Sequence, residues 1–217
     1  MGAIARSAAN LITTSGVVLK GAVNNDSFDN VTALPSSFGD GITLISSQTA
    51  SASASISFTT GITSTYKAYK FVFVNIHPAT FNDNFQFNLS TDGGSNYNVT
   101  KTSTYFQAFH SEDDVYANIS YDTGQDLAQS TAFQTIMKFM SSDNDSNGSG
   151  SLTLFNPSST TYVKHFIART AYMRPEPTMD DAFIAGYGNT TSAVNAVQFK
   201  MSSGNIDAGT IYMYGIK

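Results

Sequence analysis

The sequence predicts an all-β protein, an antiparallel β-sandwich that is jelly-roll-like and has about ten strands. Three observations support this fold class. Apolar and polar residues alternate in short runs, turn residues separate these runs at spacings of roughly ten to twelve residues, and charged residues make up only 12% of the 217-residue chain. Strict alternation gives each strand one buried and one hydrated face, which is typical of antiparallel sheets.

The clearest alternation lies near the middle of the chain. Tyr69, Phe71 and Phe73 occupy every second position of one run. Phe85, Phe87 and Leu89 repeat the pattern in a second run, and residues 97–101 form a third. Because side chains two residues apart share a strand face, each run places its large apolar groups on one side of a sheet. We expect these runs to organise the domain.

A turn signal separates the second run from the third. Residues 90–97 read Ser-Thr-Asp-Gly-Gly-Ser-Asn-Tyr, and glycine tolerates the positive φ that tight hairpin loops require. The segment resembles the Asp-box hairpin of sialidases and other β-proteins, with Tyr97 where Trp is usual. That motif is a turn-stabilising device in which Asp92 would bond backbone amides, so the match does not imply catalysis.

The remaining elements follow from the same alternation and from turn residues. Residues 126–140 are ambiguous, because Leu127, Ala128 and Thr131 suit a helical turn while 133–140 suits a strand. We expect a short helix there, followed by a strand. The other predicted strands cover residues 42–46, 51–58, 105–110, 119–121, 152–155, 163–168, 183–187, 196–201 and 210–214. The domain is therefore predicted to span 42–217.

Residues 1–41 differ from the rest because they lack sustained periodicity. Their apolar residues are scattered among Gly, Asn and Ser, so the segment cannot bury them by itself. We predict an extended N-terminal docking arm that becomes ordered on a partner, and a disordered leader is the alternative. The residues expected to bind the partner are Ile4, Leu11, Ile12, Val17, Val18 and Leu19.

Composition restricts the possible functions. A net charge of −5 and a pI near 4.9 disfavour nucleic-acid binding, since phosphates require a basic surface. The absence of cysteine removes disulfides, Cys-zinc sites and Cys nucleophiles. No apolar run is long enough for a membrane span, and the first residues lack a signal-peptide pattern. The low content of charged residues favours a protein that is a subunit of a tight assembly. A stable secreted β-protein is the alternative.

Few residues suggest a metal site or a catalytic site. Asp143, Asp145 and Asn147 fit the first half of a calcium loop, but the bidentate acid needed at the twelfth position is replaced by Leu154. A plain polar loop is the other interpretation. The acidic clusters at 112–114 and 180–181 could act as a glycoside-hydrolase pair or could simply be solvated loops. The three histidines lack metal-ligand spacing, and there is no nucleophile elbow. We expect no enzyme activity and no cofactor.

Aromatic side chains offer one binding hypothesis. Tyrosine rings can stack on sugars, and the tyrosines expected at the surface are Tyr105, Tyr116, Tyr172 and Tyr187. The loops expected to carry a glycan site are 111–118, 141–150 and 172–181.

Several short sequence segments together support a family resemblance. They are residues 42–50, 90–97, 154–159, 200–205 and 212–217. The chain resembles small virion structural proteins of tailed bacteriophages, marine and cyanobacterial phages in particular. The resemblance implies a surface-exposed capsid decoration or a tail or fibre component, assembled in the host cytoplasm and located in the virion. Implied partners are capsid, portal, tail or fibre subunits and further copies of the chain in a homotrimer or other homo-oligomer. The alternative is an adhesin that binds host-surface glycan, and a glycan depolymerase is a third hypothesis.

Overall fold

The computed structural model describes residues 41–217, which form one compact unit. The predicted docking residues Ile4, Leu11, Ile12, Val17, Val18 and Leu19 lie outside the described residues. Gly41–Lys217 contains twelve strands and no helix, so the all-β prediction is confirmed. No helix in this range has the length and hydropathy to cross a membrane.

The strands alternate with short loops along the whole described range. They are β1 (Ile42–Thr49), β2 (Ile56–Phe58), β3 (Ala68–Pro78), β4 (Asp83–Ser90), β5 (Lys101–Ser111), β6 (Ala117–Tyr121), β7 (Gln134–Met140), β8 (Gly148–Phe155), β9 (Lys164–Met173), β10 (Thr178–Gly188), β11 (Ala196–Met201) and β12 (Ile206–Ile216).

These strands form two antiparallel sheets. The large sheet has eight strands in the order β1-β12-β3-β8-β9-β10-β5-β6, and the small sheet has four in the order β2-β11-β4-β7. The chain passes between the sheets repeatedly, for example from β2 to β3, from β3 to β4 and from β4 to β5. Apolar side chains from both sheets meet in one core, which confirms the predicted β-sandwich.

Phenylalanine rings fill the space between the two sheets. Phe199 of β11 lies with its ring centroid 5.3 Å from that of Phe71 and 5.2 Å from that of Phe73, both on β3 of the opposite sheet. It also stacks on Phe85 of β4 at 5.9 Å. The predicted faces are therefore correct, since Tyr69, Phe71, Phe73, Phe85, Phe87 and Leu89 are all buried. Edge-to-face and offset ring pairs of this kind add to the free energy of burial.

A bulge in β3 changes which residues face the core. The register with β8 shifts between Phe73 and Ile76, and Asn75 adopts a φ of 53°. Both Phe73 and Ile76 are buried, although they are three residues apart. Gly209 of β12 lies against this bulge with a φ of 117°, and a Cβ there would come within 2.7 Å of the Asn75 carbonyl oxygen. Glycine at 209 therefore allows the close approach of the two backbones.

Apolar side chains remain on the outer face of the large sheet. Phe106 of β5 and Phe183 of β10 are in register, and their rings stack at 4.9 Å with an interplanar angle of 3°. The Arg169 guanidinium of β9 lies 4.7 Å from the Phe183 ring centroid and donates hydrogen bonds to Asp181. Phe106 keeps 42% of its surface exposed and Ile167 keeps 55%. No second layer of the described chain covers this face completely.

The helix expected near residue 127 is wrong. The segment runs alongside β5 instead: Ser103 donates its amide to the Leu127 carbonyl at 2.9 Å, and Lys101 and Ser130 exchange backbone hydrogen bonds. Gln129 has a φ of 48°, outside the right-handed helical region. Because the backbone groups are satisfied by β5, no helical hydrogen bonds are needed. The strand expected after the helix is present as β7.

Two other predicted strands are shorter than expected. Residues 97–100 are not a strand, since the side-chain amide of Asn88 donates to the Tyr97 carbonyl at 2.7 Å and replaces ladder pairing there. In the predicted strand 51–58, only β2 pairs in the small sheet. The serines before it make local turns, in which Ser51 donates its amide to the Ser53 hydroxyl at 3.1 Å.

A buried lysine joins the two sheets near these irregular segments. Lys101, the first residue of β5, is fully buried and donates from Nζ to the Asn88 Oδ1 of β4 and to the Val99 carbonyl at 2.8 Å. Burial lowers the pKa of Lys101 from 10.5 to about 7. Desolvation disfavours the ammonium, and both of these hydrogen-bonding partners are uncharged.

The stability of the domain should therefore increase between pH 7 and pH 9. Above pH 7 the unfolded chain binds a proton at Lys101 that the folded chain has lost, so raising the pH favours the folded state. Buried Lys164 acts in the same direction, because burial lowers its pKa also. We expect the free energy of unfolding to rise by about 2 kcal/mol over this range in urea titrations. Lys101→Met should remove most of the increase, whereas Lys67→Met at an exposed position should keep it. An unchanged slope in Lys101→Met would contradict the assignment.

Candidate functional site

A groove opens at one end of the sandwich, where the β5–β6 loop meets the β9–β10 hairpin. Its volume is about 700 Å³, within the range of small-molecule sites. Ser111 and Thr178 lie in its floor as an in-register pair between β5 and β10. The full lining is Phe109, Ser111, Glu112, Asp113, Tyr116, Arg174, Glu176, Pro177 and Thr178.

Hydrogen bonds fix both walls of the groove. The Glu112 amide donates to the Pro177 carbonyl at 2.8 Å, which joins the loop directly to the hairpin. Ser111 receives the Tyr116 amide on its hydroxyl at 2.9 Å and donates that hydroxyl to Asp113 at 2.6 Å. In the hairpin, Pro175 and Pro177 have restricted φ. The groove is therefore formed without a ligand.

A buried ion pair supports the hairpin from below. Arg174 donates from Nε and Nη2 to the Asp180 Oδ2 at 2.8 and 2.5 Å, and the Asp180 side chain has no exposed surface. The guanidinium also lies 5.4 Å from the Phe109 ring centroid and 5.8 Å from that of Phe139. Burial raises the pKa of Asp180, and the charge of Arg174 counteracts that effect. The pair thus holds a charged hairpin residue against the apolar interior.

Two of the four predicted glycan-binding tyrosines lie beneath this site and not on the surface. Tyr105 and Tyr172 are buried, and their hydroxyl groups share a hydrogen bond of 3.0 Å. Burial raises the pKa of both tyrosines. The prediction that they contact glycan is wrong, because each occupies an inward-facing position of its strand. Their polar ends are satisfied by each other within the core.

The other two predicted tyrosines lie far apart. Tyr116 lines the groove with 65% of its surface exposed. Tyr187 is half-buried at the opposite end of β10, with its ring centroid 6.0 Å from that of His165. Tyr187 lies nine positions after Thr178 in the same antiparallel strand, which corresponds to about 30 Å. Only Tyr116 of the predicted set can contact a ligand in the groove.

The exposed charges of the groove are acidic. Glu112, Asp113 and Glu176 line it and are exposed, while Arg174 is neutralised by Asp180. The pKa of Asp113 is lowered by the hydrogen bond from the Ser111 hydroxyl and by the Val115 amide. This part of the surface therefore combines an aromatic ring, hydroxyl groups and carboxylate acceptors. Such a set can stack on a sugar ring and accept hydrogen bonds from its hydroxyl groups.

The depolymerase hypothesis required acids from the 112 and 180 regions. The structure places Glu112 at the groove surface but buries Asp180 in its ion pair with Arg174. A carboxylate with no exposed surface cannot reach a glycosidic oxygen. The neighbouring Asp181 lies on the outer face of the sheet and binds Arg169 at 2.7 Å. The 180 region therefore contributes no accessible carboxylate to this groove, and the structure does not form the pair with one acid from each region.

The predicted calcium half-loop lies elsewhere, next to the β3 bulge. The Asp143 carboxylate accepts the Ser141 hydroxyl at 2.9 Å, and Asp145 and Asn147 line a shallow depression with His77. The twelfth position is confirmed as a strand residue, because Leu154 is buried in β8. In residues 41–217, no three His, Asp or Glu side chains are arranged to hold a metal ion.

The Asp-box-like turn stabilises the backbone as the sequence predicted. Asp92 accepts the Asn96 amide at 2.9 Å and the Ser90 hydroxyl at 2.6 Å. Gly93 and Gly94 have φ values of 74° and 91°. The hydrogen bonds from Ser90 and Asn96 lower the pKa of Asp92 to about 2. The carboxylate is thus committed to the turn.

Sequence reasoning missed several groove residues. Arg174 and Pro177 lie in loop 172–181, which the sequence predicts to carry a glycan site without singling out either residue, and Phe109 is assigned to a strand without a function. The available signal was the position of an Arg-Pro-Glu-Pro segment between two alternating runs, which indicates a hairpin with a charged tip. The β5–β6 loop forms the other wall of the groove only because β5 pairs with β10, and the sequence does not reveal that pairing.

Comparison with known proteins adds no relative: no protein-family model, curated protein or solved structure matches this chain.

Removing the arginine should destabilise the domain strongly. Arg174→Met leaves the buried Asp180 without a counter-charge. We expect the free energy of unfolding, measured by urea denaturation at pH 7, to fall by about 3–5 kcal/mol. Adding Asp180→Asn should recover part of this loss, because the buried charge is then gone. As a control, Arg169→Met removes an exposed pair and should cost less than about 1 kcal/mol. Equal effects of Arg174→Met and Arg169→Met would contradict the role assigned to the buried pair.

Proposed function

We propose that this protein is a non-enzymatic structural component of a bacteriophage virion, a surface-exposed capsid decoration or a tail or fibre subunit. The β-sandwich faces outward, and the N-terminal arm, residues 1–41, attaches it to a neighbouring virion protein. The resemblance to small virion proteins of tailed phages supports this role. Its five segments fall in strands β1, β8, β11 and β12, in the turns beside them and in the turn that follows β4.

The observation that carries the proposal is the outer face of the large sheet. This face presents Phe106 and Ile167 in a chain with only 12% charged residues. Exposed apolar surface with few charges is typical of subunits that have neighbours. A particle surface provides such neighbours.

The same proposal includes a homotrimer or another symmetric oligomer. The large sheet ends on β1 and β6, whose outer backbone groups have no strand partner within residues 41–217. Ile119 in β6 is 75% exposed, and β6 contains no charged residue. Uncharged edge strands with exposed apolar side chains favour association with another chain.

Deleting residues 1–40 tests the attachment. We expect the truncated protein to remain folded and soluble, because residues 41–217 have their own core. It should no longer be incorporated into particles. The measurement is quantitative mass spectrometry of purified virions, with circular dichroism to confirm the fold and full-length Tyr162→Ala as the control. Electron microscopy of intact virions would give the position and the subunit number. Normal incorporation of the truncated protein would overturn the proposal, and so would the absence of the full-length protein from virions.

The groove favours a second candidate function, a host-surface glycan adhesin of the tail or fibre. Loops 111–118 and 172–181, two of the three expected to carry a glycan site, form its walls. The exposed ring of Tyr116 stands beside the carboxylates of Glu112 and Glu176, and the walls are joined before any ligand binds. A preformed site of this kind loses little entropy on binding.

A glycan array with the full chain tests this candidate. We expect binding that weakens at least about tenfold in Tyr116→Ala, because stacking on one ring contributes an energy of this size. Tyr162→Ala provides the matched control, since Tyr162 is 69% exposed but lies before β9, at the other end of the sandwich. Absence of binding at high protein concentration, or equal binding by the two variants, would reject the adhesin.

A further inference from the structure

We infer that the groove admits uncharged pyranose units and rejects anionic sugars such as uronic acids. This inference rests on the glycan-binding candidate and adds its ligand class. It follows from the fixed charges of the groove.

The first step is the charge balance of the lining. The acids Glu112, Asp113 and Glu176 are all exposed at the groove surface. The one basic residue among the lining side chains is Arg174, and two of its nitrogen atoms already bind the buried Asp180. A ligand carboxylate would thus meet three negative charges with no free cation. Like charges within about 10 Å of one another repel, and this repulsion is only partly screened at moderate salt.

The second step concerns the two walls, which cannot easily move the acids away. The Glu112 amide is bound to the Pro177 carbonyl at 2.8 Å, so Glu112 faces the hairpin that carries Glu176. Asp113 is held by the Ser111 hydroxyl and the Val115 amide. Hydrogen bonds thus hold the Glu112 amide and the Asp113 carboxylate, and a loop rearrangement that moved these two acids away from a ligand would have to break them.

The third step is the hydrogen-bonding character of the site. The lining offers carboxylate and hydroxyl acceptors, which suit the hydroxyl groups of a neutral sugar. Below the floor, the Asp180 Oδ1 is buried without a hydrogen-bond partner. Asp180 is in register with Phe109 and lies two residues from Thr178, both of which line the groove. Because Asp180 has no exposed surface and does not line the groove, the preference for hydrogen-bond donors rests on the exposed carboxylates and hydroxyl groups of the lining.

The experiment compares matched trisaccharides by isothermal titration calorimetry with the full chain. The probes are the glucose, galactose and mannose trisaccharides, each beside the corresponding uronic acid trisaccharide. We expect each uronic member to bind at least about tenfold more weakly than its neutral partner, which equals about 1.4 kcal/mol. The ratio should shrink when salt is raised from about 20 mM to about 500 mM, because added ions screen the acids.

Charge variants make the test specific to the groove. Glu112→Gln combined with Glu176→Gln removes two charges and keeps carbonyl acceptors, so the neutral-to-uronic ratio should fall below about threefold. The control pair Asp145→Asn and Asp207→Asn removes two exposed charges outside the lining and should leave the ratio unchanged. Uronic sugars that bind as well as neutral ones through Tyr116 would overturn this inference and leave the adhesin intact. Failure of every sugar to bind, or binding insensitive to Tyr116→Ala, would reject both.

Discussion

The packing of phenylalanine rings between the two sheets is the interaction on which the rest of the structure depends. Phe199 contributes from the small sheet and meets Phe71 and Phe73 of the large one. The chain has no cysteine, so no disulfide can join the sheets. The chain passes between the two sheets many times. Loss of the ring contacts would therefore separate strands that are distant in sequence. Burial of apolar surface therefore has to supply the cohesion that disulfides give to many small β-domains.

Polar residues inside the sandwich serve a different purpose. Lys101 holds the irregular segments beside β4 and β5, whereas Arg174 and Asp180 hold the hairpin at the groove. Each is buried at a place where the regular ladder ends and backbone groups need other partners. A buried charge costs free energy, so such groups are more useful for fixing a local geometry than for adding stability. The groove is one result of that geometry.

The alternation in the sequence predicted the strands well and the irregular regions poorly. Phe71, Phe73, Phe85 and Phe87 all face the core because the two-residue period is a local property. The helix near Leu127 was wrong because the segment's hydrogen bonds go to β5, a partner about 25 residues away. Tyr105 and Tyr172 were misplaced for a related reason. Their chemistry suits a surface, but each sits at an inward position and finds the other's hydroxyl in the core.

The hydrogen bond between Glu112 and Pro177 has a kinetic consequence. Because this bond already joins the two walls of the groove, the glycan proposed above would wait for no slow rearrangement, and its encounter with the groove would be limited mainly by diffusion and orientation. An open groove with one exposed aromatic ring would give each single contact a short residence time. Many copies on one particle would convert such brief contacts into durable attachment, because each bound copy raises the effective concentration of sugar for the next. Reversible scanning of a surface, followed by firm hold, would then arise from copy number and not from the individual groove.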